Sequence, residues 1–242
     1  MMGYGYGYGY GGYGYYTDPT VILVLIGTVL CLLASWHVKN TYRKYSRQAA
    51  ACGMTGAEVA RTILQRNGIA GVQVQHVSGE LTDHYDPSKQ VVNLSDAVYN
   101  VRSVAALGVA AHECGHVLQH ETGYVPLSLR TALVPIANFG SNAGLWIVIL
   151  SLAAGLNEIF TTIGIVLFSM GVLFQLVTLP VEFNASHRAL VMLEQYGILG
   201  YDENKKARAV LKAAALTYVA AAASSVLQLL RLVLLSKRRD RD

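Results

Sequence analysis

The feature that most constrains this chain is the stretch from Val21 to Trp36, which carries no charged side chain and is apolar almost throughout. With Thr20 and His37 it approaches the ~20 residues that a helix needs to cross the hydrocarbon of a bilayer. A cleaved signal peptide would carry its positive charge ahead of the run and small residues at its end. Here the charge follows, at Lys39, Arg43, Lys44 and Arg47, so residues 20–37 read as a transmembrane anchor. The positive-inside rule then places the residues after Trp36 in the cytoplasm and the N-terminus outside. Two further apolar segments, Ile136 to Leu156 and Ile159 to Leu179, are separated only by Asn157-Glu158. They read as a transmembrane hairpin, residues 136–179, that returns the chain at Pro180 to the cytoplasmic face. A last apolar stretch, Ala213 to Leu235, contains Gln228 and Arg231 and runs into Lys237, Arg238, Arg239 and Arg241. A full crossing would leave that basic end outside, against the rule. Residues 213–242 therefore stand as either a fourth span or an amphipathic or re-entrant helix on the cytoplasmic side.

Composition agrees with a chain that lives in lipid. Of its 242 residues 53% are hydrophobic and 14% charged, against about 25% charged in a soluble domain. The net charge of +4 is dispersed over short clusters, which suits membrane topology and offers no nucleic-acid surface. Cys31, Cys52 and Cys114 are odd in number and scattered, so they form no disulfide framework and fit a reducing, cytoplasm-facing domain. Residues 1–19 hold an almost unbroken Gly-Tyr alternation with no aliphatic residue to build a core, and are expected to be a disordered accessory tail.

From residue 38 to residue 135 the chain reads as the first part of a small α+β domain. Thr55 and Glu58 have the spacing of a capping box, and Val59, Ile63 and Leu64 share one face, so a helix is expected over about 56–67, ending at Gly68. Val72 to Val77, Leu81 to Tyr85 and Gln90 to Leu94 read as strands joined by turns, in a meander. Ser95 is placed to cap a short helix, and Ser103 to Gln119 reads as a longer helix apolar on nearly every side, hence central.

That central helix contains His112-Glu113-Cys114-Gly115-His116, an H-E-x-x-H motif. Residues four apart stand one above the other on a helix, so both imidazoles can point at a single cation that favours nitrogen ligands in a tetrahedral shell. Glu113 lies about 100° round from His112, close enough to reach a water on the metal without ligating it. A polar pair on a surface helix would explain the same letters, but Ser103 to Ala111 is too apolar for a surface. Two histidines and a glutamate in such a helix are costly to bury without a partner.

Catalytic zinc of this kind needs a third protein ligand and one position left for water. His120 stands one turn past His116, about 6 Å further along the axis. It reads as a pocket residue or as a helix-end histidine meeting the dipole. Gln119 and Thr122 occupy the places where a metzincin carries glycine and histidine, so that pattern is excluded. Glu182, just past Pro180, is expected to be delivered by the hairpin to the same face as His112 and to complete a gluzincin-type site; its alternative is a solvated carboxylate at a helix start. Ser186 could hydrogen-bond a ligand from behind, and His187 and Arg188 either meet the oxyanion or are surface groups. Residues 180–212 are assigned to a third-ligand helix and the rest of the catalytic domain.

These residues resemble the YugP-like neutral zinc metallopeptidases of membranes. The resemblance rests on Leu81-Thr82-Asp83-His84-Tyr85-Asp86-Pro87, Asn93-Leu94-Ser95, Val109 to His116, and Leu179 to Ser186, and it covers roughly residues 20 to 235. A weaker similarity reaches the HtpX-type membrane peptidases, which pair H-E-x-x-H with a later E-F-x-A-D segment. That similarity implies Glu182 as third ligand, while Ser186 stands where the pattern has aspartate. The resemblance implies a zinc-dependent endopeptidase, with one zinc per chain and no other cofactor. Its protein or peptide substrates would be membrane-associated or misfolded, met at the cytoplasmic face of a bacterial cell membrane. Leu81 to Tyr85 could offer a strand edge to an extended substrate, with His84 either a transition-state donor or an ordinary strand residue.

The expected architecture is thus a mainly α membrane protein with three or four membrane helices and a small zincin-like domain. The competing reading is a non-catalytic membrane scaffold or assembly protein that keeps the zincin fold, and an oligomer is compatible with either reading. An intact Glu113 argues for the enzyme, since a structural metal gains nothing from a base beside an open position.

Overall fold

A computed structural model describes residues 18–239; most of the Gly-Tyr tail and the final residues lie outside it. The elements run α1 (Val21–Ser46), α2 (Gly56–Arg66), β1 (Gln73–His76), β2 (His84–Asp86), β3 (Val91–Leu94), α3 (Val104–Glu121), α4 (Val125–Ala153), α5 (Glu158–Gln195) and α6 (Tyr201–Arg239). Among the described residues four helices, α1, α4, α5 and α6, are long and apolar enough to cross a membrane. Their large apolar side chains face outward, as Leu33 and Trp36 do on α1, Phe139 and Trp146 on α4, and Ile159 and Val166 on α5. That is the arrangement expected where lipid is the solvent.

The α4–α5 hairpin closes through small residues. A Cβ added to Gly140 would stand 2.5 Å from the Leu167 carbonyl oxygen, and one added to Gly144 would stand 2.6 Å from that of Gly164. Close backbone approach of this kind supplies packing where lipid tails are as apolar as the helices themselves. Near the turn the hydroxyls of Ser151 and Thr161 share a 2.8 Å hydrogen bond, and the Asn157 side chain caps α5 by accepting the Ile159 N–H.

The last apolar stretch belongs to one unbroken helix, α6, which lies antiparallel against α1. Gly27 of α1 meets Ser224, while Asp18, just ahead of α1, pairs with Arg231 at 3.2 Å and Arg238 at 3.7 Å. A re-entrant path is therefore replaced by a helix running the length of α1. Its basic end, which the positive-inside rule resists leaving outside, is met there by a carboxylate. Slight burial works against the Asp18 charge, but hydrogen bonds from Thr20 and the Arg231 guanidinium hold its carboxyl below the usual aspartate range.

Between α1 and α4 lies the small mixed unit. The capping box forms as expected, with the Thr55 hydroxyl accepting the Glu58 N–H and the Glu58 carboxylate accepting the Thr55 N–H. The sheet is not a meander. Its order is β1-β3-β2, with β1 parallel and β2 antiparallel to β3. The most apolar strand takes the centre: Val91, Val92 and Leu94 of β3 are buried, while β1 and β2 carry exposed positions at the edges. Nor does Ser95 begin a helix. Its backbone N–H and hydroxyl both donate to the Asp83 carboxylate, at 2.7 and 2.9 Å, and its carbonyl closes a turn by accepting the Val98 and Tyr99 N–H groups.

Ser103 caps α3 by accepting the Ala106 N–H, and α3 then runs through the middle of the unit against α2, α5 and α6. At Gly115 the backbone of α5 is so close that a Cβ would stand 2.5 Å from the Ala185 carbonyl oxygen. Pro180 does not start a new helix. It lies inside α5, which continues to Gln195, so Glu182 is an interior helical residue and not one at a helix start. The helix persists past the proline because Val181, Ala185 and Ala189 on one face remain fully buried, and packing by neighbouring helices tolerates a lost backbone bond.

Replacing Asp18→Asn should lower the thermal midpoint in detergent micelles by a few degrees, the scale of a single partly exposed ion pair. Because the folded carboxyl is depressed, its stabilisation is present above the unfolded value and is lost as pH falls through the lowered folded value. Thermal melts of wild type and Asp18→Asn should therefore converge as pH falls below the ordinary aspartate range.

Candidate metal centre

The centre is assembled from one turn of α3 and one residue of α5. His112 and His116 project from the same face of α3, their Nε2 atoms 3.2 Å apart. Glu182 Oε2 lies 3.3 Å from the first and 3.7 Å from the second. Three potential ligand atoms thus lie within 4.8 Å of one another. Two imidazole lone pairs facing each other repel unless a cation or proton stands between them. Glu182 is 3% exposed and its Oε2 is buried without a hydrogen-bond partner. An orphaned buried carboxylate oxygen carries a large desolvation penalty, and a metal ion on this donor set removes it. Two nitrogens and one carboxylate oxygen, with room left in a cavity, are a donor set that suits zinc.

Groups behind the imidazoles fix how they point. Gln119 Nε2 donates to the Val181 carbonyl at 2.8 Å and to Asn184 Oδ1 at 3.0 Å. Its Oε1 is thereby left facing His116 Nδ1 at 3.0 Å. His116 Nδ1–H donates to that oxygen, which leaves Nε2 as the free lone pair. His112 Nδ1 meets Ser186 Oγ at 3.1 Å, so its Nε2 is likewise free to ligate. Arg188 Nε donates to Asn184 Oδ1 at 2.8 Å and holds that amide in register.

Glu113 is buried beside the donors and faces the same cavity, of about 700 Å³, whose walls include Tyr85, His120, Arg130 and Tyr218. Burial pushes the Glu113 carboxyl upward, and the neighbouring imidazoles oppose that shift. Cys114 points the other way. It is fully buried with Sγ on the Ala60 carbonyl, and burial pushes its thiol far up, so it stays a neutral core residue.

The structure separates the remaining sequence candidates. Ser186 lies behind His112. His120 lines the cavity with Nδ1 3.2 Å from the Tyr85 hydroxyl, outside the ligand group. His84 also lines it, held by the Thr82 carbonyl and Asn93. Arg188 is engaged behind the site, and His187 is exposed and does not line the cavity. Three residues were missed. Gln119 was recognisable as one helical turn from His116, and Arg130 as the lone charge in the apolar sequence of α4. Tyr218 has no local signal, since only the packing of α6 brings it to the cavity.

Comparison with known proteins agrees with a zinc site. Residues 20–237 match the family described as "Putative neutral zinc metallopeptidase". The chain belongs to this family. It is also 46% identical, over 216 residues, to the "Putative membrane protease YugP" of Bacillus subtilis (strain 168), covering 89% of this chain and 95% of that protein. No solved structure matches it.

Gln119→Leu and Ser186→Ala should each weaken zinc binding about tenfold to a hundredfold. Competition against a zinc chelator on the purified, detergent-solubilised chain measures this directly.

Proposed function

We propose that the chain is a membrane-embedded, zinc-dependent endopeptidase of the gluzincin type, acting on membrane-associated or misfolded proteins at the cytoplasmic face of a bacterial membrane. One zinc per chain would be held by His112, His116 and Glu182. The observation that carries the reading is Glu113: a carboxylate one residue from a ligand, buried, outside the donor group, and facing the same cavity. Family membership and the name of the Bacillus relative support it.

Zinc bound there would polarise the scissile carbonyl and bring the pKa of a water to about 7. Glu113 then has the base's task, taking the proton of the attacking water and handing it to the leaving amine. The outer edge of β2 has no strand partner among the described residues, and Tyr85 on that strand reaches the cavity. An extended substrate can add to that edge by main-chain hydrogen bonds and so lie across the donors.

Charge supports the cytoplasmic assignment. The small unit that carries His112 and His116 meets the end of α1 where Arg43 and Lys44 occupy the last turn, the Tyr42 hydroxyl donating to the Ala97 carbonyl. Lys205, Lys206 and Arg208, early in α6, add to that end, and cytoplasmic segments collect such charge.

Glu113→Gln should retain zinc yet lower cleavage of a casein-like substrate by about 10²-fold to 10⁴-fold, whereas Glu182→Ala should lose the metal. Metal content and cleavage are measured on the same preparations. Equal cleavage by wild type and Glu113→Gln would sink the enzyme reading.

A further inference from the structure

Helix α4 meets α5 along one face, where Leu133, Ala137, Gly140, Gly144 and Val148 are buried. At about 100° per residue, Thr131, Asn138 and Asn142 fall within about 40° of one another on the opposite face, and all three are exposed. Asn138 and Asn142 stand near the middle of this 29-residue helix, which is long and apolar enough to cross a membrane. Two carboxamides at that depth face hydrocarbon. A polar side chain there is costly unless another helix or a water-filled cavity satisfies it.

Nothing within the chain does so. The Asn142 Nδ2 donates to the Asn138 carbonyl at 3.1 Å, and among the described residues no donor meets either carboxamide oxygen. Pro135 adds a further group on the same side, because it has no N–H to give the Thr131 carbonyl one turn earlier. Phe139 and Trp146, beside the stripe, are exposed as well. Polar groups in a row, flanked by apolar side chains that no helix of the chain covers, describe one side of a helix–helix contact.

Where the stripe leads indicates what covers it. Toward the start of α4 it runs into Ser128 and Thr131, which with Tyr85 of β2 line the cavity holding His112, Glu113, His116 and Glu182. Copies of this chain share one orientation in a membrane, so a second copy packed on the stripe would lay its own Ser128 and Thr131 over that rim and obstruct both cavities. A single helix from another protein arrives instead with one end at the cavity.

We infer that the Thr131, Asn138 and Asn142 face of α4 docks the transmembrane helix of the substrate, through a hydrogen-bonding side chain near the middle of that helix. The inference rests on the peptidase reading above and narrows its substrate class to proteins with a membrane span. Asn138 lies seven residues past Thr131, about 10 Å along the axis, so a helix held there emerges beside the cavity. Its chain can unwind at that point and continue in extended form against β2.

The test uses two synthetic helices of about 20 leucine and alanine residues, alike but for asparagine or leucine at the midpoint, each continued by the same polar segment. Binding to the zinc-loaded full-length Glu113→Gln chain in phosphatidylcholine liposomes is read by energy transfer from a dye on the peptide to one on the exposed Cys52. Cleavage by zinc-loaded wild type is read by mass spectrometry. The asparagine helix should bind about threefold to thirtyfold more tightly, the range of one interhelical hydrogen bond, and should be cut faster. Replacing Asn138→Leu and Asn142→Leu together, at positions on which no core packing depends, should abolish the difference while zinc content and binding of the leucine helix stay unchanged. Equal binding and equal cleavage of the two helices overturn the docking face and leave the peptidase reading standing, as does a preference that survives both substitutions. Energy transfer between differently labelled copies that is lost in the double variant, with no preference between the helices, makes the stripe a self-association face and likewise overturns the inference. A preference in binding with no cleavage of either helix or of casein by zinc-loaded wild type keeps the docking face and removes the peptidase.

Discussion

Two imidazole nitrogens 3.2 Å apart and a buried carboxylate oxygen without a hydrogen-bond partner form a cluster that is unfavourable by itself. The surrounding fold holds these atoms together, and a divalent cation makes the arrangement favourable. The support is redundant. Gln119 and Ser186 fix both rings from behind, Asn184 and Arg188 fix Gln119, and the contact of Gly115 with the Ala185 carbonyl sets the spacing of the two helices. Precision of this order is what a metal site requires of its surroundings.

The parts of this centre that were legible in the sequence are those determined within a few residues. The spacing of His112 and His116 is a property of one helical turn, and the capping box at Thr55 and the cap at Ser103 are equally local. Glu182 was identified correctly as a neighbour of the pair, but its setting was not. Pro180 suggested a boundary between a span and a new helix, whereas burial of Val181 and Ala185 carries one helix through. The strand order failed for a similar reason. A meander is the default for three strands in succession, but β3 is the most buried and so lies between the other two. Ser95 could have capped a helix had Asp83 not taken its donors. Tyr218 was invisible because it lies far along the chain from the other residues of the centre.

Charge gives the membrane part its register. The positive cluster after Trp36, the Asp18 pairs at the opposite end of α1 and the antiparallel course of α6 describe one consistent arrangement. The basic residues closing α6, which by sequence alone argued against a crossing, have a carboxylate beside them in the fold. A rule based on counting charges in loops does not register a charge that is paired with another helix.

Because α5 continues past Pro180, the carboxylate is fixed to a rod whose other end is the hairpin turn. From Glu158 to Glu182 that rod advances roughly 36 Å at ~1.5 Å per residue, a little more than the ~30 Å of a bilayer's hydrocarbon. The Glu182 carboxylate is thus held at a set height above the lipid. A thicker or thinner membrane would tilt the rod or stretch the surrounding lipid, and the depth at which a polypeptide can be reached would shift with the composition of the bilayer.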